Sequence, residues 1–216
     1  MRQVVWDFVS IVAAVLPIEE PIYEFGSLQV GHAGSGDLRP LFPGREYVGA
    51  DFREGPGVDR VLDLHGIDLP SESVRTVLCV ETLEHVEYPA KALEEIHRIL
   101  KPGGITVISS TMCFPIHDFP HDYWRFTPEA FRSILKPFSQ SFVGFAGNKD
   151  FPHTVVGIGS KGNCPQLYEF EEMYRHWQLR SIRGGLSKFT WIRRLFTPPI
   201  FSGSGRRLLG LTKLFR

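Results

Sequence analysis

The sequence predicts an α/β fold: a mostly parallel sheet that is closed by an antiparallel hairpin strand and carries helices on both faces. Strand-like and helix-like segments alternate between residues 21 and 160, which is typical of parallel strands joined through helices. Two β-rich runs, residues 142–147 and 154–160, then follow each other with only a polar loop between them. This pair predicts the closing hairpin.

Five short apolar runs before the hairpin predict the parallel strands. Each run is rich in β-branched or other apolar residues and is bounded by glycine, proline or polar residues. In chain order they are residues 21–26, 46–51 (EYVGAD), 59–64 (DRVLDL), 75–81 (RTVLCVE) and 104–110 (GITVISS). Together they predict a sheet whose faces are covered by helices.

The clearest helix signal spans residues 89–100. Proline at the first helical position costs no hydrogen bond, and Leu93, Ile96 and Leu100 recur at helical spacing. The Lys-Pro-Gly-Gly run that follows predicts the end of the helix. A second helix is predicted from Thr127, which is a good N-cap.

Charge and composition divide the chain into three predicted parts. Residues 1–20 are predicted as a helix that packs on the core, residues 21–162 as the ligand-binding domain, and residues 163–216 as a basic, aromatic-rich appendage. The body is acidic, since residues 1–160 contain 13 Lys and Arg against 21 Asp and Glu. Residues 161–216 contain 11 against 3, which suggests a separate partner or task.

The basic appendage leaves three interpretations open. It is a substrate lid or an arm that builds a homodimer, a segment that lies on an anionic membrane surface, or a nucleic-acid site. Basic and aromatic residues such as Trp191, Arg193 and Phe215 are interleaved with leucine and isoleucine there. Nucleic acid is the least favoured partner, because the acidic body would repel a phosphate backbone.

The cysteines and the N-terminal segment bear on location. Cys79, Cys113 and Cys164 are too few and too scattered for a disulfide framework, which favours a reducing, cytoplasmic location. Residues 4–18 are apolar, but Asp7 interrupts them, and they fall short of the ~20 apolar residues of a membrane span. No small-residue cleavage site follows, so a signal peptide is not expected.

Polar residues at the strand ends are the candidate ligand-binding groups, because ligands of doubly wound sheets bind beyond the carboxyl ends of the strands. Gly26 and Ser27 follow the first strand, where small residues let backbone N–H groups approach a ligand, and Glu24 can accept hydrogen bonds from an amino group. Asp51 ends the second strand, where an acid can accept both hydroxyls of a ribose or can be a solvated turn residue.

The next two strands supply further candidates. The third predicted strand runs into Asp63 and Leu64, a carboxylate and a backbone N–H that can meet the amine and a ring nitrogen of an adenine. The fourth ends at Glu81, and the pair Glu84-His85 follows.

At this point a resemblance becomes specific. The stretch VLCVETLEHVEYPAKALEEIHRILKPGGITVIS resembles the fourth-strand to fifth-strand segment of class I S-adenosylmethionine-dependent methyltransferases, in particular the type 11 branch. Three features carry this resemblance: an acid and a Glu-His pair after a β-rich strand, an amphipathic helix, and a Lys-Pro-Gly-Gly turn. It implies a Rossmann-like methyltransferase sandwich with S-adenosylmethionine as cofactor, and it does not cover the appendage.

The resemblance also implies which residues contact the cofactor. They are Glu24, Gly26 and Ser27 for its methionine part, Asp51 for the ribose, Asp63 and Leu64 for the adenine side, and Glu81 facing the cofactor from the fourth strand. The sequence departs from the family in its first glycine-rich motif, which reads EFGSLQVGHAGSG. Gly31, Gly34 and Gly36 come later than usual and are expected to shape a longer loop.

The acceptor side is predicted in residues 114–127, a loop with two prolines and no periodicity. His117 and His121 are candidate general bases, with His85 third, although histidines in polar loops are more often surface or hydrogen-bonded residues. Tyr123 and Trp124 are candidates for the pocket wall or for substrate contact.

Arg125 is expected either to bind an anionic substrate group or to pair with Glu129. The DYWRFT run also resembles a subset of bacterial type 11 enzymes often found beside sugar- and glycan-modifying proteins. No metal site is predicted, because the spacing of His117, Asp118, His121 and Asp122 fits no common ligand pattern.

The leading prediction is therefore methyl transfer from S-adenosylmethionine to an oxygen or nitrogen of a small or saccharide-like acceptor. A non-catalytic binding or scaffold protein on the same fold is the main alternative, favoured by the altered glycine motif. A nicotinamide-dependent oxidoreductase is disfavoured, because no G-x-G-x-x-G follows the first strand.

Overall fold

The computed structural model describes residues 1–30, 36–117 and 120–184. The strands of its sheet are β1 (Ile22–Phe25), β2 (Tyr47–Asp51), β3 (Arg60–Val61), β4 (Val74–Val80), β5 (Leu100–Thr111), β6 (Gln140–Asn148) and β7 (Phe151–Ser160). The α-helices of the described residues are α1 (Gln3–Val15), α2 (Pro89–Ile99), α3 (Pro128–Ile134) and α4 (Gln166–Gly184). All predicted strands are present, although the third is only two residues long.

The seven strands form one sheet in the order β3-β2-β1-β4-β5-β7-β6. β1 pairs in parallel with β2 and β4, and β4 pairs in parallel with β5. β7 lies antiparallel to both β5 and β6, so the predicted closing hairpin is confirmed. The strand order reverses beside β1, and this places the carboxyl ends of β1 and β4 at the switch point where such sheets bind ligands.

The two faces of the sheet contribute to separate cores, because successive side chains of a strand point to opposite faces. In β4, Leu78 and Val80 belong to the core under α1 and α4, whereas Val77 and Cys79 belong to the core under α2 and α3. Helices therefore cover both faces, as the sequence predicts. Between β1 and β2 the described residues contain only a short 3-10 turn, Arg39–Leu41, so α/β alternation is looser there than predicted.

The predicted helix signals hold in detail. α2 begins with Pro89 at its first turn and buries Leu93 and Ile96 on one face. α3 begins after Thr127, whose side chain accepts a hydrogen bond from the backbone N–H of Ala130 at 3.1 Å, as an N-cap does. The Lys-Pro-Gly-Gly run forms an irregularity at the start of β5, where Gly103 has a φ of +82°.

The ends of the described chain pack on one another. Phe8 of α1 lies 5.5 Å from the ring of Trp177 in α4, and the Trp177 indole donates a hydrogen bond to the carbonyl of Val4 at 3.0 Å. These residues belong to one compact unit, Met1–Ile182. Most of the predicted basic appendage, residues 185–216, lies outside the described residues. No described helix combines the length and the apolar character that crossing a bilayer requires.

Candidate functional site

A cavity of about 560 Å³ opens at the carboxyl ends of β1, β2 and β4. Its lining contains every residue that the sequence places on the cofactor: Glu24, Gly26, Ser27, Asp51, Asp63, Leu64 and Glu81. The same lining contains the three candidate bases, His85, His117 and His121, together with Tyr123. The topology thus brings these residues from five separate segments of the chain to one cavity.

The turn after β1 requires glycine at position 26. Gly26 has a φ of +83°, a conformation that L side chains rarely adopt, and a Cβ there would lie 2.1 Å from the Thr82 hydroxyl. The Gly26 and Ser27 N–H groups both donate to the carbonyl of Ala50, at 2.8 and 3.1 Å. The Ser27 hydroxyl is buried and has no hydrogen-bond partner among the described residues.

Glu24 is a buried carboxyl group at the base of the cavity. Its side chain accepts a hydrogen bond of 2.7 Å from the Tyr47 hydroxyl on the neighbouring strand. Burial raises the pKa of Glu24 to about 7, an effect that the Tyr47 hydrogen bond only partly offsets. A cationic group in the cavity would stabilise the carboxylate.

Asp51 and Asp63 line the cavity in different environments. Asp51 is buried, and its Oδ1 accepts a hydrogen bond of 3.0 Å from the backbone N–H of Arg53. The Asp63 side chain is 63% exposed and accepts from the backbone N–H of His65 at 2.8 Å. Leu64, which follows Asp63 and also lines the cavity, is buried.

Glu81 lines the cavity, but its carboxylate is already engaged. It forms an ion pair with Arg2, whose Nε lies 2.7 Å from Oε1. The Arg2 guanidinium also lies over the ring of Phe114, 5.3 Å from its centroid. Sequence reasoning missed Arg2, because nothing near the N-terminus indicates that this segment reaches the cavity rim.

Glu84 is a second buried carboxyl group that lines the cavity. Only 1% of the residue is exposed, and Oε2 accepts a hydrogen bond of 2.6 Å from the Ser110 hydroxyl. Burial raises the pKa of Glu84 to about 7. The sequence contains the signal for this residue, the Glu-His pair after β4, but the predicted site residues include only its neighbour His85.

The candidate bases lie around Glu84. Nδ1 of His85 lies 2.5 Å from the carbonyl oxygen of His121, and burial lowers the pKa of His85, so its imidazole is neutral near pH 7. The rings of His85 and His117 are 4.8 Å apart and nearly perpendicular. Nδ1 of His117 faces Oδ2 of Asp122 at 3.3 Å.

Trp124 and Arg125, predicted as substrate-binding residues, do not line the cavity. The Trp124 indole donates to the carbonyl of Val86 at 3.0 Å. The Arg125 guanidinium pairs with Asp122, not with Glu129, and also donates to the carbonyls of Phe114 and Pro115. Both side chains hold the loop in place, because their donors are used by backbone and by Asp122.

Residues 34–108 match the family described as Methyltransferase domain, a segment that includes β2 to β4 and most of β5. No curated protein sequence matches the chain significantly.

Solved structures share the fold. One from Thermotoga maritima, an S-adenosylmethionine-dependent methyltransferase described as a possible histamine N-methyltransferase, has a TM-score of 0.53 at 22% identity, covering 73% of this chain and 91% of that one. One from Archaeoglobus fulgidus has a TM-score of 0.56 at 15% identity, covering 74% and 95%. One from Aquifex aeolicus has 0.51 at 17%, covering 73% and 92%. Both are also S-adenosylmethionine-dependent methyltransferases, and at these identities the likeness shows the fold.

S-adenosylmethionine is the cofactor that the matched family model and the fold imply, and residues of the cavity lining fit it. The buried Ser27 hydroxyl lacks a protein partner among the described residues, and Glu24 and Asp51 are buried acids in the same lining. The resemblance read from the sequence is thereby supported by a family match over residues 34–108, and the chain has the fold of the class I S-adenosylmethionine-dependent methyltransferases.

Proposed function

We propose that the protein transfers a methyl group from S-adenosylmethionine to an oxygen or nitrogen of a small or saccharide-like acceptor. The observation that carries this proposal is the shared lining of one cavity by all seven predicted cofactor residues and all three candidate histidines. A cavity of about 560 Å³ is of the size that binds small molecules.

The cofactor would supply an electrophilic methyl group on a sulfonium. Glu24 is suited to its amino group, because a cation there restores the charge of a buried carboxylate. Asp51 is suited to the ribose hydroxyls, and the buried Ser27 hydroxyl in the same lining can bond to the ligand. These residues would hold and orient the methyl donor, and positioning is the main contribution that a protein makes to such a displacement.

The acceptor end supports a polar substrate. Glu84, His85, His117, His121 and Tyr123 all line it, and each can exchange hydrogen bonds with hydroxyl or amino groups. A neutral imidazole at this end can accept the proton that an oxygen or nitrogen acceptor must lose. The sequence likeness of the DYWRFT run to enzymes found beside glycan-modifying proteins favours a saccharide-like acceptor.

We also propose a reducing, cytoplasmic location, which agrees with the three free thiols Cys79, Cys113 and Cys164. Contact of the appendage with a membrane surface, or a homodimer built through it, stays a prediction.

Cofactor binding tests the first half of the proposal. Asp51→Ala should weaken S-adenosylmethionine in isothermal titration by roughly 1.5–3 kcal/mol, because two hydrogen bonds from the ribose to a charged acceptor are lost. Asp68→Ala is the matched control, since Asp68 is exposed and does not line the cavity. Equal affinity of wild type and Asp51→Ala would mean that the ribose lies elsewhere.

Turnover tests the second half. The enzyme is incubated with methyl-labelled S-adenosylmethionine and a panel of hydroxylated and aminated small molecules, including sugars, and labelled products are identified by mass spectrometry. His121→Ala should lower turnover and leave cofactor affinity unchanged. Cofactor binding without transfer to any member of the panel would favour the non-catalytic alternative.

A further inference from the structure

We propose that Glu84, His85 and His117 form a binding site for one divalent transition-metal cation at the acceptor end of the cavity. One oxygen of Glu84 and one ring nitrogen of each histidine all lie within 4.8 Å of one another. Three such ligands around a common point are the donor set of a mononuclear site with open positions. The role of the cation in catalysis rests on the proposed function, whereas its binding does not.

The hydrogen bonds of the two imidazoles orient them as metal ligands. Nδ1 of His85 faces the carbonyl oxygen of His121, and Nδ1 of His117 faces Asp122 and the carbonyl of Pro115. Acceptors on that side keep the proton on Nδ1 and put the lone pair on Nε2. Metal-ligating histidines in proteins show this arrangement, with a carbonyl or carboxylate behind the ring.

The surroundings of Asp122 explain why sequence spacing did not reveal the site. Asp122 is one of the residues that the sequence offers as a ligand, but its side chain is only 4% exposed and is paired with Arg125. That pairing keeps the pKa of Asp122 well below its usual range, so it remains a charged acceptor behind His117. Asp122 is therefore not a ligand but contacts Nδ1 of the proposed ligand His117.

The third ligand, Glu84, is a buried carboxyl group in a rigid position. Its backbone carbonyl accepts from the N–H groups of Tyr123 and Trp124, at 2.8 and 3.2 Å. These bonds join the turn after β4 to the loop that carries His117. The ligands are thus held together before any ion binds, and a cation would offset the cost of keeping the Glu84 carboxylate buried.

The ligand types select the class of cation. Two imidazoles and one carboxylate suit manganese, iron, cobalt or zinc, whereas magnesium and calcium prefer all-oxygen sites. The open positions would take an acceptor oxygen, and the cation would act as a Lewis acid that lowers the pKa of that hydroxyl.

Cobalt(II) titration of the purified protein, first stripped with EDTA, tests the site through its visible absorption and by calorimetry. One equivalent should bind to the wild type. His85→Asn and His117→Asn keep a donor in place of Nδ1 but remove Nε2, and Glu84→Gln removes the charge. Each should weaken cobalt binding by at least about tenfold.

Two histidine variants serve as controls. His121→Asn changes a cavity histidine outside the ligand set, and His97→Asn changes one on α2, and both should bind cobalt like the wild type. Thermal melts show whether each variant is folded. Equal cobalt affinity in all variants, or no binding by the wild type, would overturn the proposal.

The two proposals fail separately. S-adenosylmethionine titrated into the EDTA-stripped protein reports cofactor binding alone. Cofactor binding without cobalt binding would remove the metal site and leave the proposed function intact, whereas cobalt binding without cofactor binding would do the reverse.

Discussion

Two buried glutamates line the cavity, Glu24 at the proposed cofactor end and Glu84 at the proposed acceptor end; burial raises the pKa of each to about 7, but their surroundings are built differently. At the cofactor end, Glu24 lies on β1 and is bonded to Tyr47 on β2, so paired strands fix its position. At the acceptor end, Glu84 lies in a turn and is surrounded by histidines from that turn and from a loop.

This difference suits two different tasks, the binding of a cofactor and the recognition of an acceptor. Strand tips and a tight glycine turn hold groups at fixed positions, which suits a cofactor of constant shape. Loop side chains can change without disturbing the sheet, which suits the recognition of a particular acceptor. The fold therefore implies the cofactor, whereas we expect the loop of residues 114–127 to select the acceptor.

The largest expected effect is at the cofactor end. Gly26→Ala should destabilise the protein by about 2–5 kcal/mol, because the left-handed backbone is strained and the new Cβ meets Thr82. Chemical denaturation measures the loss, and the cofactor affinity of the folded fraction should fall with it.

Gly44→Ala is the matched control for this change. Gly44 also has a positive φ, +73°, but nothing lies within 4 Å of its Cβ position. Its cost should be only the backbone strain, about 1 kcal/mol. Similar losses for the two variants would show that the close approach to Thr82 contributes nothing.

The sequence predicts the strand-tip residues of the site better than the contacts made by the loops and the N-terminus. Every strand and the residues at the strand tips are predictable, because hydrophobic periodicity and parallel topology bring Glu24 and Asp51 to one edge. The pairing of Arg2 with Glu81 cannot be predicted from the sequence, because the two residues are 79 positions apart and no local pattern encodes their contact.

The acceptor end shows the same limit on the side of the loop. The spacing of the polar residues between 117 and 122 could not reveal the proposed metal site. The other two proposed ligands, Glu84 and His85, come from a turn more than 30 residues earlier in the chain. Trp124 and Arg125 look equally suited to substrate contact in the sequence, and only the fold shows their donors bonded elsewhere.

The next effect compares the two glutamates through pH. Each has a folded-state pKa of about 7 against an unfolded value of 4.5, so the folded state binds more protons between these values. Stability should therefore fall as pH rises from about 4.5 to about 7, by about 3 kcal/mol for each group. Urea denaturation across this range measures the slope.

Glu24→Gln and Glu84→Gln should each remove the part of the pH-dependent change in stability that the substituted glutamate contributes. S-adenosylmethionine should counteract the share of Glu24, because its ammonium group stabilises that carboxylate, and cobalt(II) should counteract the share of Glu84. A pH dependence that neither variant alters would show that other groups produce it.

The smallest effect concerns the hydrogen bond that distinguishes Glu24. Tyr47→Phe removes the hydroxyl that stabilises the Glu24 carboxylate, so the pKa of Glu24 should rise further and the neutral acid should dominate at pH 7. Because the charged form is the one suited to the cofactor's amino group, affinity for S-adenosylmethionine should fall by about 1 kcal/mol near neutral pH. The loss should shrink above about pH 8, where Glu24 is ionised in both proteins. If the loss of S-adenosylmethionine affinity in Tyr47→Phe stays constant with pH, Tyr47 acts by packing alone. Ser110→Ala, which removes the hydroxyl bonded to Glu84, is the control and should leave cofactor affinity unchanged.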